Sequence, residues 1–143
     1  MPSAWALKVL ATDNSTRILK TVKSGIYAQE RVQSIPPALI KKFFLRGDHL
    51  WQGFVKVKDE VKQYTSFTLL NLMEPFSFQE PFDCIFCRNV MIYFDKKTQT
   101  SLVSRFFDNL AKGGVFMIGH SESLTGIQHP FIYVRPAIYK KEK

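Results

Sequence analysis

The sequence predicts an α/β fold built around a parallel sheet, and three observations carry that expectation. Short apolar runs alternate along the chain with segments of helical periodicity. The run from Phe82 to Cys87 is almost continuously apolar, as strands buried on both faces of a parallel sheet are. Four of the apolar runs end on polar side chains, at Asp13, Asn71, Arg88-Asn89 and His120. Ligands of parallel sheets gather at the carboxyl ends of strands, so parallel packing is expected to bring these four ends to one edge.

Each element has its own local signal. LKVLA is an apolar strand that stops at Asp13, and a helix follows over Thr16 to Ser24, with Ser15 as N-cap and Gly25 as the closing residue. Ser34, Pro36 and Pro37 announce a second helix carrying Leu39, Ile40, Phe43 and Phe44 inward and ending at Arg46-Gly47. From Gly53, Phe54, Lys56 and Lys58 alternate with Val55 and Val57, and Asp59-Glu60 is expected to turn the chain back into Val61 as an antiparallel hairpin. Ser66 to Leu70 is a further strand. Asp95 stands where an N-cap belongs, ahead of one stripe of Leu102, Val103, Phe106, Phe107 and Leu110, and Lys112-Gly113-Gly114 is expected to end that helix. Val115 to Ile118 forms another strand, and FIYV with AIY around Arg135-Pro136 predicts a terminal antiparallel pair.

Composition narrows the function classes. A chain of 143 residues fits one domain, which at this size buries roughly 70% of its unfolded surface. Hydrophobic residues at 45% and charged residues at 22% exclude a mainly disordered chain. No apolar run is long enough to span a membrane, and MPSAWALKVL reads as neither a basic leader nor a cleavage site, so a cytoplasmic location is expected. Two Cys form no disulfide framework and fit a reducing compartment. The net charge of +8 is spread over dispersed lysines and a KKEK tail, which reads as a solvated surface, so no nucleic-acid partner is expected.

The candidate chemistry is sparse. Asp13 is either a turn-forming, capping carboxylate or one that accepts the two vicinal hydroxyls of a ribose. Asn71 either closes a loop or reads an adenine edge. Cys84 and Cys87 are a C-x-x-C inside a strand, where residues three apart face opposite sides, so a shared metal is not expected. The three His have no metal-ligand spacing, the glycine-rich phosphate loops are absent, and Ser121 and Ser123 in GHSES have no His and Asp partner set. His120 and Glu122 in that segment either touch substrate or order a loop, with the loop role favoured. The thirteen Phe lie mostly on apolar faces and read as core rather than as stacking platforms.

FDCIFCRNVMIYFD (Phe82 to Asp95) and GHSESL (Gly119 to Leu124) closely resemble the CheR family of chemotaxis receptor methyltransferases. LATD at Leu10 to Asp13, SGIY at Ser24 to Tyr27, FFLRG at Phe43 to Gly47 and Asn71-Leu72 extend the resemblance over nearly the whole chain. It implies a Rossmann-like S-adenosylmethionine-dependent methyltransferase sheet with a small antiparallel β-subdomain at residues 47–64, within a single partial methyltransferase domain over residues 1–143. The implied reaction moves a methyl group from S-adenosylmethionine to the γ-carboxylate of receptor glutamates, leaving S-adenosylhomocysteine, with no metal. By the resemblance, Asp13 holds the ribose hydroxyls, Asn71 and Leu72 contact the adenine end, and Cys87 and Arg88 line the cofactor site. Arg88 and Tyr93 stand nearest the transferred methyl.

The implied partner is the cytoplasmic domain of a chemotaxis receptor, whose C-terminal peptide adds a strand to the β-subdomain in some members. LKVLATD resembles the family's second strand, so the N-terminal helical domain, the first strand and the acidic loop of GEEPYS type have no counterpart within these residues. Leaving out a central strand is expected to be answered by pairing of Leu7 to Ala11 with Phe82 to Cys87, by dimerisation, or by a complementing N-terminal chain. Two readings follow: a methyltransferase whose activity alone is limited by the missing loop, and a non-catalytic module that keeps the fold to engage a receptor or partner protein.

Overall fold

The computed structural model describes residues 6–142, which form two compact units divided between Asn71 and Leu72. The stretch at residues 1–5 read for a leader and Lys143 of the KKEK tail lie outside the described residues. No described helix is long and apolar enough to cross a membrane.

In the first unit, β1 (Val9–Asp13) and β5 (Thr65–Leu69) form a parallel pair in register from Val9 opposite Thr65 to Asp13 opposite Leu69. The helix between them, α1 (Thr16–Ser24), has the predicted bounds because both caps are local. Ser15 Oγ accepts the Ile18 N–H at 3.3 Å, and Gly25 at φ 68° donates its N–H to the carbonyls of Thr21 and Val22. That left-handed backbone suits a residue without a β-carbon.

The rest of this unit is a small antiparallel sheet of β2 (Ile26–Ala28), β3 (Phe44–Arg46) and β4 (Phe54–Val57), with β4 in the centre. Val55 of β4 is 1% exposed. Two expectations are corrected here. The second helix, α2 (Pro37–Phe43), ends three residues early because Phe44, Leu45 and Arg46 pair with Val57, Lys56 and Val55; Leu39 is exposed, and no residue of α2 is fully buried. The hairpin expected after Gly53 has no return strand, since Asp59-Glu60 opens α3 (Asp59–Lys62). Acidic residues in a first turn are favoured by the helix dipole, and β4 finds its partners in β2 and β3 instead.

The second unit holds a four-stranded sheet in the order β6 (Phe82–Cys87), β7 (Leu110–Ile118), β9 (Ile138–Lys140), β8 (Ile132–Arg135). β6 and β7 are parallel; β8 and β9 are the predicted antiparallel terminal pair. Within their own units β1 is paired with β5 and β6 with β7.

Against this sheet packs α4 (Lys96–Asp108), capped by Asp95, whose carboxylate accepts the Thr98 N–H at 2.7 Å and is held below its ordinary pKa by that bond. Leu102, Val103 and Phe106 are buried with Phe116, Ile118 and Phe131, and the Phe116 and Phe131 rings stack at 5.1 Å. α4 stops at Asp108, before the predicted glycines. The Asn109 side chain takes the Arg105 carbonyl, and Lys141 Nζ takes those of Phe107 and Leu110, both at 2.8 Å. Lys112, Gly113 and Gly114 lie inside β7, where the register jumps from Leu110 opposite Phe82 to Val115 opposite Cys84. Gly113 at φ 77° turns this irregularity.

Candidate active site

The predicted strand ends come together pairwise within each unit. In the first, Asp13 ends β1 beside the exit of β5, and the Leu70 N–H donates to the Asp13 carbonyl at 3.0 Å, one residue before Asn71. Asp13 is half-buried, and its Oδ1 accepts the Ser15 N–H at 2.7 Å. The turn-forming role weighed from the sequence is therefore present, while the cap itself is Ser15, and the bond also fixes the direction of the carboxylate. Asn71 is exposed.

In the second unit, Cys87 pairs with Ile118, so Arg88 and Gly119 leave the same edge of the sheet. Leu72 is half-buried against the core, and its carbonyl accepts from Arg105 at 3.1 Å. Cys87 is buried. Burial first, and the Glu122 carboxylate second, push its thiol pKa up to about 12; burial and then Asp83 raise that of Cys84. Both cysteines are free, and no cluster of three or more His, Cys, Asp or Glu with metal-binding potential occurs among the described residues.

The segment after Cys87 is the most organised part of the site. Asn89 adopts φ 58°, Val90 follows in the right-handed region, and Met91–Tyr93 form a 3₁₀ turn. The Glu122 carboxylate lies against this segment: Oε2 accepts the N–H groups of Gly119 at 2.7 Å and Asn89 at 2.8 Å, and Oε1 those of Val90 at 3.1 Å and Met91 at 2.9 Å. Gln99 Nε2 holds the far end by donating to the Met91 and Phe94 carbonyls at 2.8 and 2.9 Å.

On this fixed backbone Arg88 is exposed and Tyr93 is 80% exposed. Beside the loop lies a cleft of about 230 Å³ lined by Met91, Lys96, Gln99, Ser121 and Ser123, among others. The sequence reading singled out Arg88 and Tyr93, and the loop-ordering role of Glu122 is what the geometry displays. Gln99 was missed; its only sequence signal is a polar side chain on the first turn of a helix, which is common on solvated faces.

Comparison with known proteins places these observations in a family context. Residues 2–139 match the family described as "CheR methyltransferase, SAM binding domain". The chain is 37% identical over 143 residues to the chemotaxis protein methyltransferase of Escherichia coli, covering 99% of this chain and 49% of that protein. It is 42% identical over 138 residues to the chemotaxis protein methyltransferase of Borreliella burgdorferi, covering 96% and 47% respectively. With chemotaxis protein methyltransferase 2 of Pseudomonas aeruginosa it shares 40% identity over 134 residues, covering 93% and 48%. The chain thus spans about half the length of the curated relatives it matches.

Proposed function

Because this chain belongs to the CheR methyltransferase family, whose S-adenosylmethionine-binding domain matches residues 2–139, we propose that it serves methyl transfer from S-adenosylmethionine to glutamate side-chain carboxylates of chemotaxis receptors. The observation that carries the reading is the exposed pair Arg88 and Tyr93 on a loop whose backbone is held by Glu122 and Gln99.

S-adenosylmethionine supplies a methyl group on a sulfonium, and its transfer to a carboxylate oxygen turns two opposite charges into a neutral ester and a neutral thioether. Such a displacement asks the protein for alignment more than for proton transfer. The Arg88 guanidinium can grip an incoming carboxylate through two parallel N–H bonds, and the Tyr93 hydroxyl can fix its angle by donating a third.

The residues proposed for the cofactor fit its polar groups. Asp13, its direction set by the Ser15 N–H, retains acceptor capacity for ribose hydroxyls. The Asn71 amide offers both a donor and an acceptor to an adenine edge, while Leu72 and Cys87 supply apolar lining. Calorimetric titration of the chain with S-adenosylhomocysteine tests the assignment. Micromolar binding that is lost in Asp13→Ala is expected; a folded chain that binds none overturns it.

A second reading, a protein-binding module that keeps the fold, is favoured by one feature of the first unit. A groove of about 340 Å³ beside β3 is lined by Leu45, Arg46, Trp51 and Phe54, among others, and Leu45, Trp51 and Phe54 are exposed. β2 and β3 are the outer strands of this sheet, which suits an extended receptor peptide adding a strand. Saturable binding of a receptor C-terminal peptide, weakened in Trp51→Ala, is the expected outcome. Equal binding by both proteins would exclude the groove.

A further inference from the structure

We propose that Glu122 is a positioning residue whose carboxylate fills an anion-binding nest made by the loop's own backbone and thereby sets the placement of Arg88 and Tyr93. The inference rests on the methyltransferase reading and adds a residue to it. Asn89 in the left-handed region followed by Val90 in the right-handed one turns successive N–H groups to one side of the chain, the geometry of a backbone nest that binds anions. Here the N–H groups of Asn89, Val90 and Met91 all point to Glu122, and the Gly119 N–H from the neighbouring strand end closes the ring.

An ionised carboxylate offers about four acceptor directions, and four donors occupy them. Glu122 is therefore committed to the loop: it has no acceptor to spare as a general base or as a ligand for substrate. Without it, three consecutive N–H groups would lose their shared acceptor, and the loop would have no reason to keep the left-handed Asn89 from which Tyr93 is projected. Gly119 fits the same arrangement, because a β-carbon there would stand 2.8 Å from Glu122 Oε2. The opposite end of the loop is tied independently by Gln99, so the backbone between Arg88 and Phe94 is fixed at both sides while its two reactive side chains face solvent.

The test uses the isotope-labelled 143-residue chain and needs no variant for its first arm. Couplings across the hydrogen bonds from the amide nitrogens of Asn89, Val90, Met91 and Gly119 to the Glu122 carboxyl carbon are expected in the wild type; their absence overturns the nest. In the second arm, S-adenosylhomocysteine is titrated into the wild type, Glu122→Gln and Glu122→Ala. Affinity is expected to fall about tenfold or more in both variants. Acetate, but not chloride at equal ionic strength, is expected to restore it in Glu122→Ala, an effect that a general loss of packing would not produce. Couplings present alongside unchanged affinity in Glu122→Gln overturn the positioning role alone. A wild-type chain that shows the couplings and binds no S-adenosylhomocysteine overturns the cofactor reading and the positioning role with it, while the nest stands.

Discussion

Gly119 lies so close to Asn89 that a β-carbon on the glycine would stand 2.3 Å from the Asn89 side-chain oxygen. Gly119→Ala must therefore displace the Asn89 side chain, and it also presses on a Glu122 carboxylate already held by four N–H groups. Overpacking of this kind costs about 1–3 kcal/mol. Asn89→Gly removes the first obstacle and keeps the positive φ, so the double variant is expected to recover part of the loss. Urea denaturation of the four proteins checks this, and strict additivity would show that the two residues do not meet.

Asp13 has one observed role, in the turn, and one proposed role, at a ribose, which a single variant separates. Its turn-forming role needs only an acceptor for the Ser15 N–H, which an amide oxygen supplies as well as a carboxylate. The proposed ribose contact needs acceptors on both oxygens. Asp13→Asn is therefore expected to unfold within about 0.5 kcal/mol of the wild type while losing affinity for S-adenosylhomocysteine. A variant that kept full affinity would restrict Asp13 to the turn.

What the sequence made legible was local. Ser15, Gly25 and Asp95 mark helix ends through bonds to residues three or four positions away, and these ends fall where expected. Phe82–Cys87 announces a parallel strand by composition, but not one buried on both faces: Cys87 alone is buried and Phe86 is 67% exposed. β2 and β3, by contrast, are three residues each, too short for a period, and exist because the distant β4 pairs with both. The start of β7 was hidden by Gly113-Gly114, whose irregular backbone looks like a helix end in sequence and lies within a strand in space. In the candidate site, Arg88 and Tyr93 are proposed from motif, and the structure places both on the surface of one loop. The bonds that fix that loop were less legible, because Glu122 lies more than thirty residues from its loop partners and Gln99 carries no periodic signal.

Asn109 supplies a stability prediction independent of any ligand. Its buried side chain accepts the Phe78 N–H at 2.9 Å and donates to the Arg105 carbonyl at 2.8 Å, joining the segment before β6 to the end of α4. Asn109→Ala leaves both groups without that partner and is expected to cost about 1–3 kcal/mol in urea denaturation. Cofactor affinity measured well below the unfolding midpoint is expected to stay unchanged. An effect below about 0.5 kcal/mol would mean that water replaces the amide at both groups.

Cys87 gives the chain a specific alkaline sensitivity. Burial, with Glu122 adding to it, raises its thiol pKa from 9.0 in an open environment to about 12 in the folded chain. Below pH 9.0 the thiol is protonated in both states, and its contribution to stability is fully present. As pH rises from there toward about 12, the unfolded chain releases the proton while the folded chain retains it, so stability is lost across that window. The slope attributable to this group is at most about 1.4 kcal/mol per pH unit. Cys87→Ala is expected to be less stable at neutral pH, because it leaves a cavity, yet to lose stability less steeply above pH 9.0. Urea midpoints measured across the alkaline range check the slopes, and parallel curves for the two proteins would place the ionisation elsewhere. The same protonated, buried thiol is expected to react with iodoacetamide more slowly than the half-buried Cys84 at neutral pH.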